Sequence, residues 1–381
     1  MTNFVLFFQH LPPYPGAGSL RAQSVIEALA LRHHPGIDGI YVLTSTPHAQ
    51  PISGCQIINL AVHEVENSQG LLRRIWGEIR LGVAASKAVP SLITQSDILV
   101  ISSPAYLSAL ILSTYARYRR IRYIIELRDI YPQVYAESGL IGSRSIFYRI
   151  FASLSRRMYV NAELIVAATN GLARVVLEDA PTADVRCVYN GYPARIANVS
   201  APKHKKFTVC FHGVMGYFQD IQSLIDLAST LSTEDIDVIV IGYGNQAELA
   251  RACDLPNFVF KGRLSFEDTI LEISKCHVGL CLRKSGNISE DSFPVKVWEY
   301  LGLGLPTLVT PHCEAGTFLE ENACGIQFEA GAVKDIAMKV IELKKKSELL
   351  FYMSSNCKKV GTQYTREKLG IDIAHLILDK L

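Results

Sequence analysis

The hydrophobic residues of this chain occur in short runs rich in β-branched side chains, and these runs alternate with segments of helical periodicity. Apolar strands that alternate with helices are typical of parallel sheets covered on both faces. The pattern predicts an α/β protein with two doubly wound, Rossmann-like domains. The predicted strands are 4–8, 39–43, 55–59, 98–101, 123–127, 164–168, 186–189, 208–212, 238–241, 258–260, 278–282, 307–309 and 325–328. The predicted helices lie near 19–33, 71–89, 105–119, 143–160, 170–179, 219–231, 245–253, 266–275, 294–302, 315–321, 332–345 and 366–380.

A linker-like stretch at residues 190–206 divides the two series. It lacks periodicity, carries the turn pair Asn190-Gly191 and is rich in Pro, Ala, Lys and His. We therefore predict a first domain at 1–195, a second at 196–362 and, at 363–381, a helix that packs back on the first domain. Ligands of open parallel sheets bind outside the carboxyl ends of the strands, so we expect the site in the loops there, around a cleft between facing domains.

The composition is that of a globular protein with an uneven charge distribution. Of 381 residues, 49% are hydrophobic and 19% are charged, which excludes a disordered chain. The net charge of +2 is too small to indicate a nucleic-acid partner. Residues 68–160, however, hold 13 basic and 5 acidic side chains, a net charge of +8. This segment favours an anionic partner, namely anionic lipid, phosphate or nucleic acid.

Two loops that follow strands carry glycines before a helix. The first contains Gly16 and Gly18 and the second contains Gly213 and Gly216. Glycines at a helix N-terminus let backbone N–H groups approach an anion, although either loop is also compatible with an ordinary strand-to-helix turn. A third motif, GYGNQA at 242–247, follows the second strand of its domain and is interpreted as a turn, because a dinucleotide fingerprint follows the first strand.

The segment 283–306 is the richest in candidate chemistry. A polar loop leads into a helix that starts near Pro294, a residue favoured in the first helical turn. Glu299 lies on this apolar helix and requires a partner, and a carboxylate there can accept the two hydroxyls of a ribose. Lys296 lies near the same end and can neutralise a phosphate. The alternative is a surface helix with a solvated lysine and a capping Asp291.

The sequence FPVKVWEYLGLGLPTLV at 293–309 resembles the FPxKxxEYxAxGxPVI segment of glycosyltransferase family 4, with Asp291 where that family usually has Glu. Three other segments are similar to motifs of this family and occur in the same order: ELRDIYPQVYAESG at 126–139, VYNG at 188–191 and FHGVMG at 211–216. The first of them resembles the loop of a subgroup of bacterial transferases that add amino sugars, such as fucosamine, in O-antigen and capsule assembly.

The resemblance implies a GT-B enzyme that binds a nucleotide-sugar donor in the second domain and an acceptor in the first. It implies that Glu299 holds the ribose hydroxyls and that Asp291 lies near the donor sugar. Arg128 and Asp129 stand where many members have an active-site histidine, and Asp129 is the nearest candidate base. The predicted catalytic residues are Asp129, Arg128, Lys296 and Asp291; the predicted donor-binding residues are Gly16, Gly18, Gly213, Gly216, Arg263, Lys284, Glu290, Phe293, Pro294 and Glu299.

One departure from the family concerns the charge of the diphosphate. Many members carry Arg and Lys after the second glycine loop, where this chain has Val214, Met215 and Gln219. The compensating cations are predicted to be Lys296, Lys284, Arg283 or Arg263, together with helix N-termini. No metal ion and no other cofactor are expected, since the clusters of cysteine and histidine fit no zinc spacing.

A predicted amphipathic helix near 71–89 suggests contact with a membrane. Leu72, Ile75, Trp76, Ile79 and Val83 are expected to form one stripe, and Arg73, Arg80 and Lys87 another. Basic residues beside Trp are typical of interfacial helices, although a core-packed helix with a solvated basic face gives the same pattern. Further arginines follow at 117, 119, 120, 122, 144, 149, 156 and 157.

These observations predict a retaining glycosyltransferase, of hexosyl or N-acetylhexosaminyl type, that uses a nucleotide-diphosphate sugar such as a UDP-sugar. Its acceptor is expected to be a lipid-linked saccharide of bacterial surface polysaccharide synthesis. It is expected to be cytoplasmic, bound peripherally to the inner face of the cytoplasmic membrane, since its cysteines suit a reducing compartment and no segment has the pattern of a signal peptide or a membrane span. The alternatives are a GT-B nucleotide-sugar epimerase and a catalytically weak binding subunit of a polysaccharide assembly complex.

Overall fold

The chain forms two compact units in the computed structural model, which describes residues 2–14, 16–31, 36–62, 71–94 and 96–381, without the side chains at 17, 71, 72 and 288. Unit 1 comprises Met1–Asn190 and Arg366–Leu381, and unit 2 comprises Gly191–Thr365. The borders between the units thus lie at 190/191 and 365/366, beside the predicted borders at 195/196 and 362/363.

The strands and helices alternate as the hydrophobic pattern predicts. The strands are β1 (Thr2–Phe7), β2 (Ile37–Thr44), β3 (Gln56–Asn59), β4 (Ile98–Ser102), β5 (Arg122–Leu127), β6 (Leu164–Ala167), β7 (Val185–Cys187), β8 (Phe207–Val214), β9 (Ile236–Tyr243), β10 (Phe258–Gly262), β11 (Val278–Leu282), β12 (Thr307–Thr310) and β13 (Gly325–Gln327). The helices are α1 (Ala17–Leu31), α2 (Leu71–Ala88), α3 (Tyr106–Arg119), α4 (Gln133–Glu137), α5 (Ile146–Val160), α6 (Asn170–Asp179), α7 (Ile221–Leu231), α8 (Ala247–Arg251), α9 (Phe266–Ser274), α10 (Asn287–Glu290), α11 (Val295–Leu303), α12 (Glu314–Glu321), α13 (Val333–Lys345), α14 (Ser347–Gly361) and α15 (Arg366–Leu378).

Both units are built on a parallel sheet with the same order of strands. In the described residues, unit 1 has a seven-stranded sheet of order β3-β2-β1-β4-β5-β6-β7, and unit 2 a six-stranded sheet of order β10-β9-β8-β11-β12-β13. The central strands β4 and β11 are buried along their whole length, as expected for strands with both faces covered. The predicted fold class, two Rossmann-like α/β domains, is confirmed.

The last helix, α15, completes unit 1 rather than unit 2. It packs along α1, and Gly370 permits the close approach, because a Cβ at this position would lie 2.7 Å from the carbonyl oxygen of Ser24. Leu369, Ile373 and Ile377 are buried on this face.

The sequence pattern did not predict α4, α10 and α14. The first two are single turns, and α14 has a buried face of Met353, Cys357 and Gly361. Its periodicity is obscured in the sequence because Phe351 and Tyr352 are exposed on the opposite side.

The strand order changes direction between β1 and β4 in unit 1, and between β8 and β11 in unit 2. The loops that leave two such neighbouring strands diverge from each other, because their connections run in opposite directions along the sheet. The resulting crevice at the carboxyl ends is the usual ligand position in doubly wound folds. A ligand site in either unit is therefore expected at the carboxyl ends of these two pairs of strands.

Candidate active site

In unit 2, helix α11 carries the two strongest candidates of the sequence. Lys296 and Glu299 are three residues apart, a spacing that places both on one side of a helix. Their side chains face the end of β8, and they are only 9% and 8% exposed. The helix begins after Pro294, whose extended backbone at φ −61° and ψ 134° turns the chain into it.

Glu299 has a partner that the sequence analysis did not name. Nε2 of His212, on β8, lies 3.3 Å from Oε2 of Glu299. Burial, and then the charge of Lys296, lower the pKa of His212 to about 3, so its ring is neutral at pH 7. Its Nε2 lies near the carboxylate but does not meet the geometry of a hydrogen bond to it, so His212 is a neutral neighbour of Glu299 that adds no charge. The signal in the sequence was the position of His212, directly before Gly213 in the second glycine loop.

The Lys296 ammonium lies against the second glycine loop. Its Nζ donates to Oε1 of Gln219 at 3.1 Å and lies 3.7 Å from the centroid of the Phe211 ring. A Cβ at Gly213 would lie 3.5 Å from the same Nζ, so the lysine head group follows the loop backbone closely. Burial lowers the pKa of Lys296 to about 8. Cys281 and Glu299 oppose this shift, whereas the charge of Arg283 reinforces it.

The glycines at 242 and 244 support the second glycine loop. Gly242 has φ +154°, and a Cβ there would collide with the carbonyl of Gly213. A Cβ at Gly244 would lie 2.7 Å from the carbonyl oxygen of Met215, whose N–H donates to Tyr243 O at 2.7 Å. The GYGNQA motif thus packs against the backbone of the neighbouring loop, which agrees with its interpretation as a turn.

The other candidate cations of unit 2 differ in exposure. The buried Arg283 guanidinium donates to the Ser289 carbonyl at 3.3 Å and also contacts Ser292, so it shapes the loop 284–292. Lys284 and Arg263 are exposed and lie over aromatic rings that flank the glycine motifs. Lys284 Nζ is 5.5 Å from the ring centroid of Tyr217, and Arg263 Cζ is 4.5 Å from that of Tyr243.

The remaining donor-binding candidates lie on the approach to α11. Asp291 caps the C-terminus of α10 and is half-buried, whereas Glu290 before it is exposed. Phe293 is buried and stacks on Trp298 at 3.9 Å between ring centroids. The Phe293 ring therefore anchors the start of α11 inside unit 2.

In unit 1, the end of β5 carries a buried ionic cluster of Arg21, Glu126 and Arg128. Glu126 Oε1 accepts from Nε of Arg21 at 2.7 Å, and both of its oxygens accept from Nε of Arg128 at 3.1 and 3.0 Å. Ser102, at the end of β4, donates to Glu126 Oε2 at 2.6 Å. Burial raises the pKa of Glu126, but the charges of Arg128 and Arg21 outweigh it and hold the pKa below its usual value.

The cluster explains the glycine at position 18. The Arg128 guanidinium occupies the space that a Cβ at Gly18 would need, so this glycine makes room for an arginine. Gly16 has φ +124° and open space around it. The neighbouring Asp129 is half-buried, and burial raises the pKa of its carboxyl group. The positive charge of Arg128 opposes this rise, and the negative charge of Glu126 adds to it.

The sequence analysis missed the roles of Arg21, Ser102 and Glu126. The signal available was a charged residue inside an apolar element: Arg21 lies in the helix sequence AGSLRAQSVIEALAL, and Glu126 in the strand sequence RYIIEL. A charge in such a position is costly unless it is paired, so each predicts a partner without naming it.

The surface of unit 1 carries basic and apolar side chains together. On α2, Trp76 is 64% exposed and Val83 is also exposed, on the same side of the helix as Arg73, Arg80 and Lys87. The buried face that packs on α3 is formed by other residues, Leu81, Gly82 and Ala85, so Trp76 and Val83 of the predicted stripe remain at the surface. Helices α2 and α3 approach each other closely at Gly82, because a Cβ at this position would lie 2.8 Å from Cα of Ser108. This contact places Gly82 on the buried face of α2.

Helix α5 presents a second surface of this kind. Ile146, Phe147 and Ile150 are exposed at its N-terminal end, Phe147 by 63%, and they alternate with the exposed Arg144 and Arg149. The C-terminal half of α5 is anchored by the buried Ser155, Met158 and Tyr159. Of the helices in the described part of the chain, none combines the length and apolarity needed to cross a bilayer.

Comparisons with known proteins show the fold of the chain and a family match within its second half. Residues 194–360 match the family model for glycosyl transferases group 1. The structure of HepE from Anabaena in complex with UDP is similar over 100% of both chains, with a TM-score of 0.70 and 15% sequence identity. Sucrose-phosphate synthase from Thermosynechococcus elongatus is similar over 100% of this chain and 99% of its own, with a TM-score of 0.79 and 11% identity.

A third similar structure is WaaG, a glycosyltransferase involved in lipopolysaccharide biosynthesis, with a TM-score of 0.67 and 12% identity over 98% of this chain and 99% of that one. At these identities, the likeness shows the fold alone. No curated protein sequence matches this chain significantly.

Proposed function

We propose, from the match of residues 194–360 to the family model for group 1 glycosyl transferases and from the GT-B fold, that this protein moves a sugar from a nucleotide-diphosphate sugar to an acceptor. The observation that carries the proposal is the pairing of Glu299 and Lys296 on one face of α11, beside the second glycine loop at the switch point of unit 2. The complex of HepE with UDP supports UDP as the nucleotide of the donor.

The two α11 side chains have complementary roles in this proposal. Glu299 accepts hydrogen bonds from the hydroxyls of the ribose, and Lys296 donates to the diphosphate that the glycine loop approaches. Negative charge develops on the diphosphate as the sugar leaves, and a preformed cation lowers the energy of that transition state. Asp291 lies nearer the donor sugar, and Lys284 and Arg263 add exposed positive charge at the loop edges.

We propose that the transfer retains the anomeric configuration, as the resemblance to glycosyltransferase family 4 implies. The bond between the anomeric carbon and the diphosphate oxygen breaks, and the acceptor oxygen forms a bond to the same face of that carbon. The acceptor proton passes to the departing diphosphate oxygen, or to Asp129 in unit 1, whose raised pKa suits a base. We assign the acceptor to unit 1.

A lipid-linked acceptor on an anionic membrane is supported by the surface of unit 1. The exposed Trp76 and Val83 on α2 and Phe147 and Ile150 on α5 lie among arginines, as in interfacial helices. Each basic residue near an anionic surface contributes about 1 kcal/mol of attraction. We therefore propose a peripheral position at the inner face of the cytoplasmic membrane, and surface polysaccharide synthesis, with an amino sugar as one donor class.

Donor-dependent release of nucleotide tests the proposal. The full chain is incubated with a panel of UDP- and other nucleotide sugars and a lipid extract, and free UDP is measured. Release with one donor, and its loss in Glu299→Gln, supports transfer. The matched control is Glu321→Gln, at an exposed carboxylate of the same unit that belongs to no predicted site. Interconversion of two nucleotide sugars without release indicates an epimerase, and binding without either reaction indicates a binding subunit.

A further inference from the structure

A small pocket in unit 1 lies at the switch point between β1 and β4. Its volume is roughly 140 Å³, and its lining includes Gln9 and His10 after β1, Ser102 and Pro104 at the end of β4, and Arg128 after β5. Sites that enclose a whole ligand usually measure about 300–1,000 Å³. The size of this pocket therefore suits one small group of a larger molecule.

The guanidinium of Arg128, the cation of this pocket, is held in a fixed position. Both oxygens of Glu126 accept from Nε of Arg128, on one edge of the guanidinium. The other edge lies over Gly18, in space that a Cβ would fill. Among the described residues, no hydrogen-bond partner is found for the two terminal nitrogens of Arg128. The terminal N–H groups of Arg128 thus remain available to donate hydrogen bonds to a ligand.

The described residues that line the pocket include the cationic Arg128 and no carboxylate. Arg21 and Arg128 share the single carboxylate of Glu126, and Arg21 is further used by the carbonyls of Tyr189 and Val188 at 2.6 and 2.9 Å. The hydroxyl of Ser102 is also used, since it donates to Glu126. Arg128 is therefore the member of the cluster that faces the pocket with unused donors.

The lining of the pocket also includes two stacked rings. The rings of His10 and Tyr14 stack with 3.7 Å between their centroids and 5° between their planes. Ser19 fixes the loop by donating to the carbonyl of Tyr14 at 2.6 Å. The fork of a guanidinium matches the oxygens of a carboxylate or a phosphate, and arginine binds phosphate through two parallel hydrogen bonds.

We propose that this pocket is a phosphate-binding subsite of unit 1, with the terminal nitrogens of Arg128 as its donors. The inference rests on the proposed function only in the source of the phosphate, which is either the diphosphate of a lipid-linked acceptor or that of the nucleotide-sugar donor. The role of Gly18 changes accordingly: it positions the arginine, instead of bringing its own backbone to the phosphate.

The test uses inorganic pyrophosphate as the probe, titrated calorimetrically into the full chain. The Lys296→Ala variant is the background, so that the candidate site of unit 2 contributes less to the signal. Gly18→Ala displaces the guanidinium without changing any charge, and alanine is favoured over glycine in a helix. Arg128→Gln removes the charge. We expect each change to weaken pyrophosphate binding at least tenfold.

Gly142→Ala is the matched control, because its Cβ would meet the nearest atom at 3.9 Å in an ordinary backbone conformation. It should leave the affinity unchanged. Circular dichroism of every variant shows whether the fold is retained. The subsite is refuted if pyrophosphate does not bind in the Lys296→Ala background, or if adding Gly18→Ala or Arg128→Gln to that background leaves the affinity unchanged.

A second titration with UDP, in the chain with Lys296 intact, identifies the source. Unchanged UDP affinity in Gly18→Ala assigns the subsite to the acceptor, whereas a parallel loss assigns it to the donor diphosphate. Because pyrophosphate is titrated without any sugar donor, failure of the subsite and failure of the transferase proposal are observed separately.

Discussion

Replacing the buried Lys296 with methionine should stabilise the protein while it abolishes most of the activity. Methionine keeps an unbranched side chain that can pack between Phe211 and the backbone of Gly213, and it removes the ammonium. Folding transfers this ammonium from water to a site that is only 9% exposed. The cost of that transfer appears as the fall of its pKa from 10.5 to about 8.

The magnitude follows from proton linkage. The unfolded chain binds the lysine proton more tightly than the folded one, so the wild-type free energy of unfolding rises with pH between about 8 and 10.5. At 1.36 kcal/mol per pKa unit, the charge costs about 3 kcal/mol at pH 7 and about 1.5 kcal/mol at pH 9.5. Loss of the hydrogen bond to Gln219 offsets about 1 kcal/mol of the gain. Lys296→Met should therefore be about 2 kcal/mol more stable at pH 7, with the gain mostly lost at pH 9.5.

Urea unfolding at the two pH values measures this difference, with Lys284→Met, at an exposed lysine of the same unit, as the control that should show no such dependence. Turnover should fall by about 10²–10³, the usual loss when a donor to developing charge is removed. A variant less stable than the wild type at pH 7, or a gain that does not shrink by pH 9.5, would refute the buried-charge argument. Retained turnover, with activity lost instead in Lys284→Ala or Arg263→Ala, would show that another cation neutralises the diphosphate.

Three further changes test other parts of the molecule. Glu299→Gln should weaken donor affinity at least tenfold in calorimetry with an unchanged fold, since hydrogen bonds to a charged group contribute about 1.5–3 kcal/mol; a complex with the ribose far from this residue would contradict the assignment. Reversing the charges of Arg73, Arg80 and Lys87 together should release the protein from anionic vesicles in co-sedimentation, as should salt; equal binding to neutral vesicles would exclude an electrostatic surface. Gly242→Ala should lower the free energy of unfolding in urea by at least about 1 kcal/mol, because its φ of +154° and the adjacent carbonyl leave no room for a Cβ; wild-type stability would contradict this.

Local patterns in the sequence were sufficient to predict most of the strands and helices and part of the candidate site. β-Branched runs and helical periodicity are properties of neighbouring residues, so the strands and most helices were predictable. The same holds for Lys296 and Glu299, whose spacing on one helix requires no tertiary information. The apolar environment of Glu299 in the sequence also implied a partner, because an unpaired carboxylate is costly to bury.

The partners themselves were decided by the tertiary structure. His212 reaches Glu299, and Arg21 reaches Glu126, only because parallel strands bring distant loops to one edge of a sheet. Gly18 and Gly242 illustrate the same limit: each is a glycine because of an atom far away in sequence, a guanidinium in one case and a carbonyl in the other. Local periodicity carries no information about such contacts, since it records which face of an element is buried and not which residue is buried against it.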